Sequence, residues 1–517
     1  MTVKDSCIVE AGTLLVGVGP DGAMERRYDV GIRVHEGLIA QVGAIEAVAY
    51  GNDHLPRYGS RGMIAMPGLV NGHHHFGLTP LMMGVPFAPL ELWLPRFRAM
   101  RQIGNRLDTL YSAIEMLESG TTTVHHIQSG LTGTPDNWHA ITSDILGAYD
   151  EIGMRAGYSF MMRDQNILAY EDDAKVLAAL PEKVRDWLAP KLGAAATPTA
   201  DYMDFFRAIR SGWAETSPDG VRVNLAPANL HWCSDESLQL MSQTAREAGA
   251  SIHMHLVETE RQAEYALKKF GHTAVQHLQK LECLGPEVTL GHGNWMTPED
   301  LDIIAGCGCT MCHNASSGLR LGSGIAPVNE MRARQIPVAL GIDQSNLADD
   351  RDMTLEMKLV WALHRETGLF NDRPDAAAVL QMATEHGAKS AGFGGLVGRV
   401  EPGLKADIVL MDEKAMARPF VSKRTPVEET VLHRGGRHAI DKVFVGGRLV
   451  VDGGKVISID REAVMAEVAA RLEAPETAAE AADWEMVNAM MPHLEAFHRD
   501  HPLVGERRPY RFNRITP

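Results

Sequence analysis

The chain has 517 residues, of which 45% are hydrophobic and 22% charged, and it carries a formal net charge of -16. That length exceeds what one hydrophobic core ordinarily organises, and the apolar content argues against wholesale disorder, so a large domain with a smaller companion is expected. The acidic balance disfavours a nucleic-acid partner, whose phosphates would be repelled, and mildly favours a neutral or cationic small molecule.

No apolar run approaches the length that spans a bilayer, and the first residues, Met1-Thr2-Val3-Lys4-Asp5-Ser6, lack the basic and apolar regions of a signal peptide. No membrane association is expected, and the expected location is the cytoplasm. Six cysteines without a framework spacing fit reduced thiols in a reducing compartment.

In chain order, residues 6–43 hold short alternating runs with Gly-containing turns, such as Ile32-Arg33-Val34-His35-Glu36-Gly37-Leu38-Ile39. From about residue 61 to 395, apolar β-type runs alternate with helix-length amphipathic stretches. Eight such runs can be placed, at 63–75, 121–127, 156–162, 221–228, 251–257, 288–294, 310–314 and 338–343. Eight strand-helix repeats predict an α/β fold, a (β/α)8 TIM-like barrel. Alternating runs return over 399–460, as in Val443-Phe444-Val445-Gly446-Gly447-Arg448-Leu449-Val450-Val451, and with the N-terminal runs predict a small β-sandwich domain formed from both chain ends. The expected divisions are 1–62 and 396–460 for the two parts of that domain, 63–395 for the barrel, and 461–517 for a helical tail. The tail begins Ala/Glu-rich and finishes Arg507-Arg508-Pro509-Tyr510-Arg511-Phe512, an ending suited to docking on a neighbouring subunit or on its own chain.

Chemistry is concentrated where these runs end. In Pro67-Gly68-Leu69-Val70-Asn71-Gly72-His73-His74-His75, side chains two apart share a face, so His73 and His75 can grip one cation while His74 points the other way. Alone, the triple His also fits a surface tract or hydrogen-bonded core imidazoles. Functional residues of such a barrel sit at strand C-terminal ends, and His255 and Glu258 end the fifth run, His292 the sixth and Asp343 the eighth. An Asp after the apolar run Pro337-Val338-Ala339-Leu340-Gly341-Ile342 is costly to bury unless paired or bound to a metal.

In sequence order, Pro67 to His75, His255-Leu256-Val257-Glu258, Gly291-His292 and Gly341-Ile342-Asp343 resemble the signatures of the amidohydrolase superfamily. The resemblance is to its deaminase and chlorohydrolase branch, which acts on purines, pyrimidines, S-adenosylhomocysteine and s-triazines. Leu90-Glu91-Leu92-Trp93-Leu94, Gly120-Thr121-Thr122-Thr123, Leu321-Gly322-Ser323-Gly324-Ile325-Ala326-Pro327 and Glu401-Pro402-Gly403-Leu404-Lys405-Ala406-Asp407-Ile408-Val409-Leu410 extend it over nearly the whole chain. The resemblance implies that His73, His75, His255 and Asp343 bind one divalent ion, Zn2+ or Fe2+, with water completing its shell. That ion lowers the pKa of water so that hydroxide is available near neutral pH. Asp343 is then ligand and base, Glu258 moves protons to the ring and the leaving group, and His292 polarises the attacked centre or steadies the nucleophile. The fourth-strand Lys that is carbamylated in binuclear relatives has no counterpart in Val223-Asn224-Leu225-Ala226-Pro227-Ala228-Asn229, so one ion is expected. The His-x-x-Glu register assigns His255 and leaves His253 one layer deeper as a hydrogen-bonded core residue.

The implied activity is replacement of an amino or other leaving group on an aromatic nitrogen heterocycle by water. The alternatives are hydrolysis of an amide, urea or carbamate C–N bond on the same site, or an inactive barrel serving assembly. His126, Asn229, Trp232 and Ser345 are candidate substrate contacts, the partner is a small molecule, and a homo-oligomer of two or more copies is expected. Cys309-Thr310-Met311-Cys312-His313 matches the haem c spacing but reads as accidental, because it falls on a barrel strand and no export signal accompanies it. Ser317-Gly318 and Gln344-Ser345-Asn346 depart from the commoner turns of the branch, and the insertion at about 164–216 has no readable role, so the substrate stays open.

Overall fold

The computed structural model describes residues 6–131, 133–370, 373–501 and 503. The N-terminal alternating segment forms β1 (Cys7–Val18), β2 (Met24–His35), β3 (Leu38–Ala44) and β4 (Arg57–Pro67). The apolar runs that follow form β5 (Leu69–His74), β6 (Thr121–Gln128), β7 (Arg155–Met162), β8 (Val221–Val223), β9 (Ala226–Pro227), β10 (Ile252–Leu256), β11 (Val288–His292), β12 (Thr310–His313) and β13 (Val338–Leu340). These strands are buried at almost every residue, as parallel strands covered on both faces must be.

The parallel pairings run β5-β6-β7-β8 in one arc and β10-β11-β12-β13 in another, with β9 continuing the β8 position against β7. Two seams join the arcs. At one, Leu225 bridges Ile252 and the His253 N–H donates to the Leu225 carbonyl at 2.9 Å. At the other, His74 bridges Asp343 and the Asp343 N–H donates to the His73 carbonyl at 2.9 Å. The result is a TIM-like barrel, with helices such as Asn105–Glu118 and Pro135–Ile152 following its strands.

C-terminal to the barrel lie β14 (Ile408–Asp412), β15 (Ile440–Val445), β16 (Arg448–Asp452) and β17 (Lys455–Val456). They join the N-terminal strands in one continuous sheet, ordered β17-β16-β15-β14-β4-β1-β2-β3. This sheet has its own apolar core, with Val9, Leu14, Ile32, Ile408 and Phe444 at its centre.

The run expected as one strand over 63–75 is therefore two. Its first part lies in β4, paired with β14, and only Leu69–His74 belongs to the barrel, so a division after residue 62 falls inside a strand. Gly68 makes the crossing: its N–H donates to the Asp407 carbonyl at 3.0 Å, and a Cβ there would stand 2.1 Å from Thr122 Oγ1. The fourth run also breaks, between Val223 and Ala226, and its second piece ends at Pro227, which has no N–H for a longer ladder.

The insertion after β7 supplies the helices Asp173–Ala178, Glu182–Ala195 and Thr199–Thr216. The C-terminal segment supplies Arg461–Glu473 and Ala478–Asp500. Val176, Leu188 and Leu192 of the insertion pack with Val487, Met490 and Leu494 of the last helix, so that helix lies on its own chain. The basic, aromatic stretch at 507–512 lies outside the described residues. No helix among the described residues is long and apolar enough to cross a membrane.

One buried ion pair ties barrel to sheet. Arg155, the first residue of β7, donates Nη2–H to Asp407 Oδ1 at 2.8 Å and Nε–H to Oδ2 at 3.1 Å, and Asp407 also accepts the Gly446 N–H at 2.8 Å. Removing one partner leaves the other charge buried and alone. Asp407→Ala is expected to cost about 3–5 kcal/mol of stability, read as a lowered denaturant midpoint, and Arg155→Met in the same chain should recover part of it.

Candidate metal centre and active site

Four groups from three strand ends converge at the mouth of the barrel. His73 and His75 project inward from the end of β5, His255 from β10, and Asp343 follows β13. His73 Nε2 and His75 Nε2 lie 3.1 Å apart, His75 Nε2 and His255 Nε2 3.1 Å, and His75 Nε2 lies 3.3 Å from Asp343 Oδ1. Ligand atoms bonded tetrahedrally to one ion at zinc-like distances stand about 3.3 Å from one another.

The protonation of these rings can be read from their far sides. His75 Nδ1–H donates to the Ile127 carbonyl at 2.7 Å, and His255 Nδ1–H to the Ala228 carbonyl at 3.1 Å. A carbonyl only accepts, so both Nε2 atoms carry lone pairs when the rings are neutral. Burial drives His73 and His255 well below the usual imidazole range and His75 to about 4, so neutral rings prevail near pH 7. Lone pairs therefore face one another, and Asp343 Oδ1, buried without a hydrogen-bond partner, faces them too. A divalent cation satisfies all four donors at once, and deprotonated imidazole and carboxylate are the forms in which they ligate. The donor set fits such an ion.

Around it, His253 Nε2 lies 2.9 Å from His73 Nδ1, on the side away from the convergence, which is the deeper position expected for it. Ser317 donates Oγ–H to Asp343 Oδ2 at 2.6 Å and so turns Oδ1 toward the imidazoles. Burial raises the Asp343 carboxyl to about 7 while Ser317 opposes the shift. Glu258 and His292 flank Asp343 closely enough for their donor atoms to form a second cluster with it, and His292 Nε2 lies 3.8 Å from Glu258 Oε2. Glu258 Oε1 is buried without a partner, and burial, reinforced by the charges of Asp343 and Glu91, holds its carboxyl well above the usual range. Val257, His292 and Asp343 all take positive φ, of 42°, 67° and 64°, where the chain leaves the strands. For side chains other than glycine that conformation is strained, and the strain is spent on aiming the site.

The candidate substrate contacts divide. Asn229 donates Nδ2–H to Gln262 Oε1 at 3.0 Å, and the same oxygen accepts the Glu258 N–H at 2.8 Å, so Asn229 braces Glu258 from behind. Trp232 lines a cavity beside the site. His126 is not brought to the metal centre: it lies on the outer, helix-facing side of β6, 2.9 Å from the Tyr149 hydroxyl and edge-on to His74. Its neighbour His125 is the inward residue and packs against His253. Ser345 is also engaged elsewhere, between the Arg320 guanidinium and Asp349 Oδ1. Cys309 and Cys312 are free thiols buried in the barrel wall. Ser317 and Gln262 acquire positioning roles that the sequence reading did not give them. The Thr259-x-x-Gln262 cap at the start of the helix Glu260–Phe270 was the available signal for Gln262.

Residues 64–450 match the amidohydrolase family. The chain belongs to that family. Among curated relatives, this amidohydrolase is 28% identical over 418 residues to a 5-methylthioadenosine/S-adenosylhomocysteine deaminase from Moorella thermoacetica, covering 79% of this chain and 87% of the relative. Among solved structures, an adenosine deaminase from Xanthomonas campestris with bound zinc aligns with TM-score 0.74 at 22% identity, over 90% of this chain and 97% of the other. An atrazine chlorohydrolase from Arthrobacter aurescens complexed with zinc aligns with TM-score 0.75 at 20% identity, over 90% and 100%.

Replacing His255 by Ala should leave three of the four converging donors. Elemental analysis after dialysis is expected to show loss of bound metal together with loss of activity. Stoichiometric metal in that variant would transfer the ligand role to His253.

Proposed function

We propose that this amidohydrolase is a metal-dependent aminohydrolase that replaces an amino or other leaving group on an aromatic nitrogen heterocycle by water. The observation that carries the reading is the convergence of His73, His75, His255 and Asp343 beside a buried Glu258 whose carboxyl burial holds well above its usual range. The relatives named as deaminases of adenosine-like compounds favour this over hydrolysis of an amide, urea or carbamate. His73, His75, His255 and Asp343 would hold one divalent ion, zinc or iron(II). Bound there, the ion supplies the Lewis acidity that makes water a competent nucleophile near neutral pH.

The chain's own groups do the rest. Asp343, with Oδ2 fixed by Ser317, presents Oδ1 to the nucleophile and takes its proton as attack begins. Glu258 enters protonated and gives its proton to a ring nitrogen, which draws electrons away from the carbon under attack. Once ionised, Glu258 takes the hydroxyl proton of the tetrahedral adduct and passes it to the departing amine, so that ammonia leaves neutral as the ring carbonyl forms, and the proton on Asp343 restores Glu258. His292, neutral because burial lowers it to about 3, stands beside Glu258 to hydrogen-bond the group at the reacting carbon. With all these groups buried, little water competes for the hydrogen bonds that orient the substrate. The proposal extends to a cytoplasmic homo-oligomer, to the divisions 1–62, 63–395, 396–460 and 461–517 as working domains, with the first boundary moved past β4, and to a sandwich-like closure of the small sheet over its core.

Glu258→Gln keeps size and hydrogen bonding but removes the transferable proton. On a panel of amino-heterocycles and ureas with ammonia detection, it should retain full metal content and lose roughly 10² or more in turnover. Unchanged turnover would refute the acid-base role, and amine plus carboxylate products in place of ammonia would favour the amide or urea reading.

A further inference from the structure

Beside the metal centre a cavity of about 420 Å3 opens at the C-terminal ends of β6 and β7. It adjoins the site through Gln262, whose Oε1 accepts the Glu258 N–H, and through Gln128, which follows the Ile127 that anchors His75. In a chain of net charge -16, its wall contains two guanidinium groups, Arg98 from the helical turn Leu94–Ala99 and Arg163 just after β7.

Among the described residues neither cation has a carboxylate within ion-pair distance. Arg163 Nε is buried without a hydrogen-bond partner among the described residues, and Nη2 makes a weak hydrogen bond to the Met161 sulfur at 3.6 Å. Its guanidinium lies 4.3 Å from the centre of the Trp232 ring, which fixes its plane. Arg98 feels the charge of Asp173, but both oxygens of that carboxylate already accept N–H groups, from Ile167 and Leu168 at 2.9 Å. Glu91, in the same wall, accepts the Tyr170 and Thr259 hydroxyls at 2.8 and 2.7 Å. Lys191 is paired with Asp483 at 3.4 Å. Burial lowers both arginines to about 10, and the Arg98 charge adds to the shift at Arg163, so both remain cations at neutral pH. Two half-buried cations side by side in one wall repel each other unless an anion joins them, and planar guanidinium forks match oxyanions bidentately.

We propose that this cavity is a substrate subsite for a compact oxyanion, a carboxylate or phosphate group borne by the heterocycle, with Arg98 and Arg163 as its two forks. The inference rests on the hydrolytic reading of the adjoining centre and reverses the preference for a neutral or cationic ligand that net charge alone suggests. Trp232 serves it by stacking Arg163, and Leu94, Ile167 and Leu168 form the apolar wall around it.

Calorimetric titration of the metal-loaded protein with benzoate, phenyl phosphate and neutral benzamide tests the subsite without turnover, and the two anions separate carboxylate from phosphate. At least one anion should bind tenfold or more tightly than benzamide. Arg98→Gln and Arg163→Gln should each erase most of that difference, and Arg163→Lys, which keeps charge without the fork, should restore only part. Adenosine, adenosine 5'-carboxylic acid and adenosine 5'-phosphate then give the kinetic comparison. The Gln variants should raise KM for the charged members at least tenfold more than for the neutral one. Equal binding of anions and benzamide by the parent protein, or an anion preference that survives both Gln variants, overturns the subsite. If anions are preferred but no heterocycle is hydrolysed, the catalytic reading fails and the subsite stands. Turnover without anion preference has the opposite meaning.

Discussion

Lone pairs that face one another across about 3 Å, with a carboxylate oxygen facing them, are the constraint around which this barrel is arranged. The same contact closes the ring. The backbone bond from Asp343 to the His73 carbonyl joins β13 to β5, the two strands of the barrel farthest apart in the chain, and it sets the carboxylate beside the imidazoles. Gly341 permits that approach, since a Cβ at this position would stand 2.5 Å from the His73 Cβ. Barrel closure and ligand geometry are one structural event here, so disturbing either disturbs the other.

Orientation of the site is handed outward through backbone groups rather than through further charges. Carbonyls of Ile127 and Ala228, at the ends of neighbouring strands, choose the tautomers of His75 and His255. Ser317 fixes one oxygen of Asp343, and the Gln262–Asn229 pair holds the backbone of Glu258. Neutral partners steer these groups without cancelling the charges that the chemistry uses. The left-handed turns at Val257, His292 and Asp343 cost on the order of 1–3 kcal/mol each, and the packed barrel beneath supplies that strain.

Much of this was legible in the sequence because strand periodicity and the strand-end rule depend on local order. The alternation of His73, His74 and His75 gives two inward rings and one outward, and the runs ending at His255, His292 and Asp343 point to one end of the barrel. The same parity, applied from Thr121, assigns His125 inward and His126 outward, so the expectation for His126 failed by a one-residue register. The break at Gly68 was hidden because apolar residues continue across it, and only the partners Asp407 and Thr122, distant in sequence, mark where one sheet gives way to the other. Ser345 was lost to a long-range partner, Arg320. The insertion was unreadable for the same reason: its apolar face meets the last helix, and neither segment shows by itself what will cover it. Net charge is silent in a different way, because a total over the whole chain does not say that two arginines line one cavity.

The small sheet, drawn from both ends of the chain, constrains the order of events during synthesis. Strands β1 to β4 leave the ribosome early, yet β14, which covers the open edge of β4, follows only after the entire barrel has been translated. At roughly 5–20 residues per second, the nascent chain carries an unpaired strand edge for tens of seconds. That interval is an opening for intermolecular strand pairing, and it makes the first sixty or so residues the part of this protein with most to gain from a chaperone.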